Sequence, residues 1–282
     1  MIRSLLEKGP PNYHTAASGG AVRFTFLGTA GFTVASQERT FVLDPYVSRA
    51  GLWRTAFGRL PVDEARVRQY VPVADEVLIG HSHHDHALDG PAVCKHTGAR
   101  LLGSASTMNL ARAYGLDAAQ HVEVTAGVPV PCGAAIATPL ASRHGKALLG
   151  RIPLPGSIDA PPAWPPRVYD LRHGPVFHWH LQLGGVRVLH VDSADFLDDQ
   201  LAEADVLLLC AVGRQYRQDY TRTLLQRVKP RVVIPCHWDD FTLPLEAPPR
   251  QLPGVDVEGF VQEIRAGGAE AVVLGPLQSW RG

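Results

Sequence analysis

One short stretch in the middle of the chain, His81-Ser82-His83-His84-Asp85-His86, limits what the chain can become more than any other. It follows directly on Glu76-Val77-Leu78-Ile79-Gly80, a compact apolar run of the kind that forms a buried strand. In an extended segment His81 and His83 project to the same side, so both can reach one metal ion. Asp85 and His86 come as the chain turns and can reach a second ion nearby. Imidazole and carboxylate donors without thiolate suit zinc, manganese or iron. The plain alternative is a surface histidine tract with incidental metal affinity. It fits poorly with a mid-chain position behind an apolar strand. His84 is the position the spacing does not use, and it reads as a neighbour of the site, not a ligand.

The rest of the chain is compatible with a buried site of this kind. Its 282 residues are enough to bury a proper core, and 45% hydrophobic with 19% charged residues is an ordinary globular balance. Lys+Arg and Asp+Glu both number 27, which gives no electrostatic reason to expect a nucleic-acid partner. Cys94, Cys132, Cys210 and Cys236 are scattered, which excludes a disulfide framework or a zinc-finger spacing. The first residues carry no apolar signal region, and no spanning segment follows, so a cytoplasmic protein without a transmembrane segment is expected.

Turn residues separate three short apolar runs, 22–27, 32–34 and 40–43, which predict a meander of strands. Helices are expected over 62–70, 90–97, 104–114, 217–228 and 256–265. Further strands are expected near 100–102, 175–183, 186–191, 206–212, 231–235 and 271–274. The proline-rich stretch 151–168 cannot be regular helix or central strand. Apolar strands flank it on both sides. It therefore reads as a loop inserted in a single domain, 1–282, covering the site, with 1–20 as an N-terminal extension. Strands followed by helices, twice over, predict two sheets packed face to face with helices outside.

The H-x-H-x-D-H motif, preceded by a Gly28-containing strand turn and Leu43-Asp44-Pro45-Tyr46, resembles that of the metallo-β-lactamase superfamily. More narrowly it resembles the branch of ascorbate-6-phosphate lactonase-like and N-acyl-phosphatidylethanolamine phospholipase D-like hydrolases. The likeness spans about residues 22 to 241. It implies an α/β fold, the αββα four-layer sandwich of two mixed β-sheets with helices outside, and a dinuclear site along one edge of the sheets. It also implies three later ligands, each just beyond an apolar run: His144, Asp192 and His237. By this resemblance His81, His83 and His144 hold one ion, Asp85, His86 and His237 hold the other, and Asp192 bridges them. Asp44 resembles the family's aspartate that supports a ligand from behind, and a plain Asp-Pro turn would look the same. One departure is Val191, where the family usually has Gly before the bridging aspartate.

What the resemblance implies is a metal-dependent hydrolase with two divalent ions, zinc ahead of manganese or iron. A water shared by the ions would lose a proton near neutral pH and attack an ester-like bond. Asp85 would orient it and move a proton, with His86 beside it. The bond is a phosphodiester, lactone or carboxylic ester in a small or lipid-like molecule. Arg143 and Lys146 flank His144 and are candidates for a phosphate contact, although basic loop residues are usually just solvated. Trp164 is a candidate lid over substrate. His178 and His180 share one face of a strand, expected to face solvent before it lines a pocket. The competing readings are an inactive metal-binding scaffold and, behind it, a nuclease, which would bring basic surfaces and an inserted domain. A di-iron redox site would have Glu where this chain has His83. A homo-oligomer stays open.

Overall fold

The early apolar runs do form a meander: β1 (Arg23–Gly28), β2 (Gly31–Ala35) and β3 (Thr40–Leu43) pair antiparallel in sequence order. The computed structural model describes residues 19–282 together with Gly9, Pro11 and Tyr13, so most of the expected extension 1–20 lies outside the described residues. Gly28 makes the tight β1–β2 turn possible, with φ at 84° and the Arg49 guanidinium where a side chain would stand.

After the meander the chain changes habit. It forms α1 (Leu52–Phe57), α2 (Glu64–Tyr70), β4 (Glu76–Leu78), α3 (His84–Ala87), α4 (Gly90–Thr97), β5 (Arg100–Gly103), α5 (Ala105–Tyr114) and β6 (His121–Glu123). β4, β5 and β6 pair parallel from β3 outward. Parallel strands must be covered on both faces, which is why β4 is wholly buried, with Glu76 at its start paired to Arg100. The helix boundaries follow from local chemistry. α4 has Pro91 in its first turn and ends on Gly98 in the left-handed region, the pairing that starts and stops a helix. Ser104 caps α5 by accepting from the Thr107 N–H. α1 has no buried residue, so it carries no apolar stripe by which a sequence could announce it.

The second half builds another sheet from β7 (Val130–Cys132), β8 (Ala135–Ser142), β9 (Val176–Leu183), β10 (Val186–Val191), β11 (Val206–Cys210), β12 (Val232–Cys236) and β13 (Glu270–Ala271). β7 to β10 are antiparallel and β10 to β13 parallel, so the sheet is mixed. β14 (Ser279–Arg281) returns to the first sheet beside β1, giving two sheets of seven strands among the described residues. The expected strand 271–274 is in fact only Glu270–Ala271.

Phe24, Phe26, Phe32, Phe41, Trp179, Leu181 and Val188 lie in one fully buried cluster contributed by both sheets. Leu27, Val42, Val77 and Leu101 turn the other way, towards Val93 and Met108 on α4 and α5. α6 (Tyr220–Val228) and α7 (Val257–Ala266) bury Leu224, Phe260 and Ile264 on the second sheet. These are the layers of an αββα sandwich.

The proline-rich stretch 151–168 connects β8 to β9, which are neighbours in one sheet. His178 and His180 do not face solvent. Both are buried, with His178 Nε2 2.8 Å from Ser142 Oγ and His180 Nε2 3.1 Å from the Glu203 carbonyl. The chain after β10 covers the face that alternation alone would leave open. No helix among the described residues is long and apolar enough to cross a membrane.

Candidate metal centre

The C-terminal ends of β4, β10 and β12 open on the same rim, and each delivers donors to it. Past β4 the chain runs through Gly80 into His81, whose Nδ1 lies 2.6 Å from Asp192 Oδ2, one residue beyond β10. That approach requires glycine at 80: a Cβ there would overlap Asp192 Oδ2 and lie 2.6 Å from its Cγ. The chain is still extended at His83 (φ −64°, ψ 155°) and then coils, as the His86 and Ala87 N–H groups donate to the His83 carbonyl at 3.1 and 2.8 Å. This single turn swings Asp85 and His86 back over the strand end. Asp44, at the end of β3, closes the floor: its Oδ1 accepts from the Gly80 N–H at 2.7 Å, and its Oδ2 lies 2.9 Å from His86 Nδ1.

His237, just past β12, has φ 55° and is held by the β1–β2 turn. Its N–H donates to the Thr29 carbonyl at 2.5 Å, while the Thr29 N–H donates to Asp239 Oδ1 at 2.7 Å. Arg49, almost fully buried, pairs with the other Asp239 oxygen at 2.5 Å. His144 follows β8 on a loop anchored by the Gly145 N–H donating to Ser193 Oγ at 2.9 Å.

All seven residues named for the site therefore converge, each buried. The donor atoms fall into three groups, each within 4.8 Å internally: His81, His83 and His144; His81, His86 and Asp192; Asp85, His86 and His237. The middle group shares one residue with each of the others. Their donors meet a cavity of about 540 Å³ with no lysine or arginine in its lining among the described residues.

No family model matches the chain. A UPF0173 metal-dependent hydrolase of Carboxydothermus hydrogenoformans is 28% identical over 268 residues, spanning 90% of this chain and 97% of that protein. Igni18, a metallo hydrolase from Ignicoccus hospitalis, superposes with a TM-score of 0.60 at 18% identity, over 92% of this chain and 97% of that one. The chain has the metallo-β-lactamase fold. The same fold is used by CmlA, a diiron β-hydroxylase from Streptomyces venezuelae, of which this chain spans 55% (TM-score 0.57, 16% identity).

Burial, then the neighbouring His144 and His83, pushes His81 well below the usual histidine range. Burial brings His83 down to about 3 and also lowers His86 and His144, so these rings are neutral with free lone pairs. Burial opposes ionisation of Asp85, but His84, His86 and His237 beside it hold its carboxyl well below the usual range. Burial and the charges of Asp192 and Asp85 push Asp44 up. Asp192 Oδ1 is buried with no hydrogen-bond partner. Three carboxyls that no Lys or Arg pairs with among the described residues, an orphaned oxygen and imidazoles lowered by burial fit divalent cations.

Val191 does not disturb Asp192. It is fully buried in β10, pairing with Leu209. The proposed substrate residues fare differently. Arg143 and Lys146 are exposed and outside the cavity lining, because the loop turns His144, Gly145, Ala147 and Leu149 to it instead. Trp164 is no lid: its ring packs edge-on against Tyr114, 5.0 Å between centroids, against the cluster under α4 and α5. The same loop does line the cavity, through Pro153 and Leu154. His84 is buried against Tyr46 and Phe241 and lines the cavity wall.

Sequence reading missed His173, whose ring stacks 5.5 Å from His144 and stands 5.9 Å from His83. Its spacing from the motif carries no signal, because it arrives from the far end of the proline-rich loop. The Arg49–Asp239 brace was equally invisible.

Proposed function

We propose that the chain hydrolyses an ester-like bond with two divalent ions. His81, His83 and His144 hold one, Asp85, His86 and His237 the other, and Asp192 lies between them. The observation that carries this is the overlap of the three donor groups, with His81 and His86 each common to two of them. Bound there, the ions supply Lewis-acid polarisation of the scissile oxygen and a water acidic enough to attack at neutral pH.

The chain's own residues do the positioning. Asp192 facing His81 Nδ1 and Asp44 facing His86 Nδ1 fix both rings, leaving each Nε2 aimed into the site. Asp85 borders the cavity, ionised, with Oδ2 3.4 Å from His237 Nε2. It is placed to hold the attacking water by one oxygen and to pass its proton to the leaving group. No serine or cysteine nucleophile is called on; the four cysteines are all buried.

Elemental analysis of the purified protein, with turnover of aryl ester, lactone and bis-aryl phosphodiester substrates before and after chelation, tests this reading. About two ions per chain and chelator-sensitive turnover are expected. Metal-free protein that stays inactive when zinc, manganese or iron is supplied would favour a dead scaffold. His237→Ala should lower the content towards one ion per chain; two tightly held ions in that variant would break the ligand assignment.

A further inference from the structure

Resting on the hydrolase reading of the same site, we infer that the cavity takes an uncharged ester or lactone with a hydrocarbon acyl chain. It does not take an anionic phosphodiester or a carboxylated ester.

The walls support this. Leu149, Leu154, Val212, Tyr216, Phe241 and Leu252 come from separate segments and face one cavity of about 540 Å³. That is within the range of small-molecule sites, roughly 300–1,000 Å³. Leu149 stands at 86% exposure with φ at 51°. An exposed leucine held in that conformation at the edge of an apolar cavity gains most when a hydrocarbon covers it.

Charge points the same way. A phosphoryl or carboxylate group away from the reacting atom asks for Arg or Lys, whose fixed donors match such anions. Among the described residues lining the cavity there is none, and the two basic residues nearest in sequence to His144 are exposed and excluded from it. The charged side chains in the lining are Asp85 and Asp192, both of which the proposed ions would take, so no charged group is left along the cavity wall to hold an anionic tail. A neutral carbonyl ester presents its only strongly polar group to the donors and its chain to the leucines.

The chemistry balances with water as the sole co-reactant. The water oxygen bonds to the acyl carbon and the bond from that carbon to the leaving oxygen breaks. The leaving oxygen takes up the water's proton. An ester gives an acid and an alcohol; a lactone gives one hydroxy acid.

The test uses full-length, metal-loaded protein. Straight-chain 4-nitrophenyl esters from butanoate to decanoate are compared with 4-nitrophenyl succinate and bis(4-nitrophenyl) phosphate. Calorimetry follows the binding of primary alkylamides of the same chain lengths. We expect kcat/KM for the esters, and amide affinity, to rise about 3- to 4-fold for each added methylene until the chain fills the cavity. Val212→Lys, on the half-buried wall, should flatten that rise and move preference towards the succinate ester. Amide affinity and ester kcat/KM that ignore chain length would overturn the inference, as would a phosphodiester turned over faster than every neutral ester. Chain-length-dependent amide binding without turnover of any ester would support the cavity's preference and overturn the hydrolase reading instead.

Discussion

Replacing Asp85 by asparagine should lower kcat by about 10²- to 10³-fold at saturating metal, with the fold intact. The substitution keeps the shape of a buried side chain at the cavity edge and removes its charge. Asp85 Oδ2 lies 3.4 Å from His237 Nε2 and 3.9 Å from His86 Nε2, while Oδ1 lies 3.5 Å from His84 Nδ1. Those three imidazoles hold the carboxyl ionised in spite of its burial. An amide in its place can still present one oxygen to the site, but it cannot accept the proton that the attacking water must lose. The loss should therefore appear in kcat more than in KM. A thermal melt close to wild type and elemental analysis at saturating metal would separate lost proton transfer from lost metal. Wild-type turnover in a variant with wild-type metal content would refute the role given to Asp85.

The residues that announced the site were those whose donors leave the ends of strands. His81 and His83 stand two apart directly after β4, so period-two geometry alone brings them to one side. Asp192 and His237 follow β10 and β12 at once, and the run Val232–Cys236 before His237 is hard to misread, since it is buried throughout. Legibility ended where tertiary covering decides. Alternation showed that His178 and His180 share a face of β9, but not that Ser142 and Glu203 would meet them there. Sequence proximity put Arg143 and Lys146 beside a ligand, yet a loop residue's neighbours point wherever its turn sends them. Trp164 was legible as a large apolar group needing a partner, and the partner was Tyr114 rather than a substrate. α1 gave no pattern because Leu52, Trp53 and Phe57 are exposed, leaving no inward face to repeat. His173 lies far from the motif in the chain, and only the closed loop brings it to His144 and His83.

A glycine nobody would pick as functional yields the second large effect. Gly80→Ala should weaken metal binding by about 10- to 100-fold or more, the usual cost of disturbing what orients a ligand. It should also destabilise the fold by about 1–3 kcal/mol through overpacking. The new Cβ would overlap Asp192 Oδ2, lie 2.6 Å from its Cγ and stand 3.1 Å from the Phe177 carbonyl. None of these atoms can step aside. Asp192 is fully buried and bonded to His81 at 2.6 Å, and the Phe177 N–H in turn donates to the Gly80 carbonyl at 2.8 Å. The strain therefore passes to Asp192 and to His81 bonded to it, two residues of the middle donor group. Gly90→Ala is the control, also a buried glycine near the motif. There a Cβ would meet Ile79 Cδ1 at 3.1 Å and Leu101 Cδ1 at 3.3 Å, the free ends of side chains that can turn. It should keep wild-type metal affinity. Equal metal affinity in the two variants, measured by competition with a chelator, would show that Asp192 does not depend on the space Gly80 leaves. The placement of that aspartate between the two donor groups would then have to be given up.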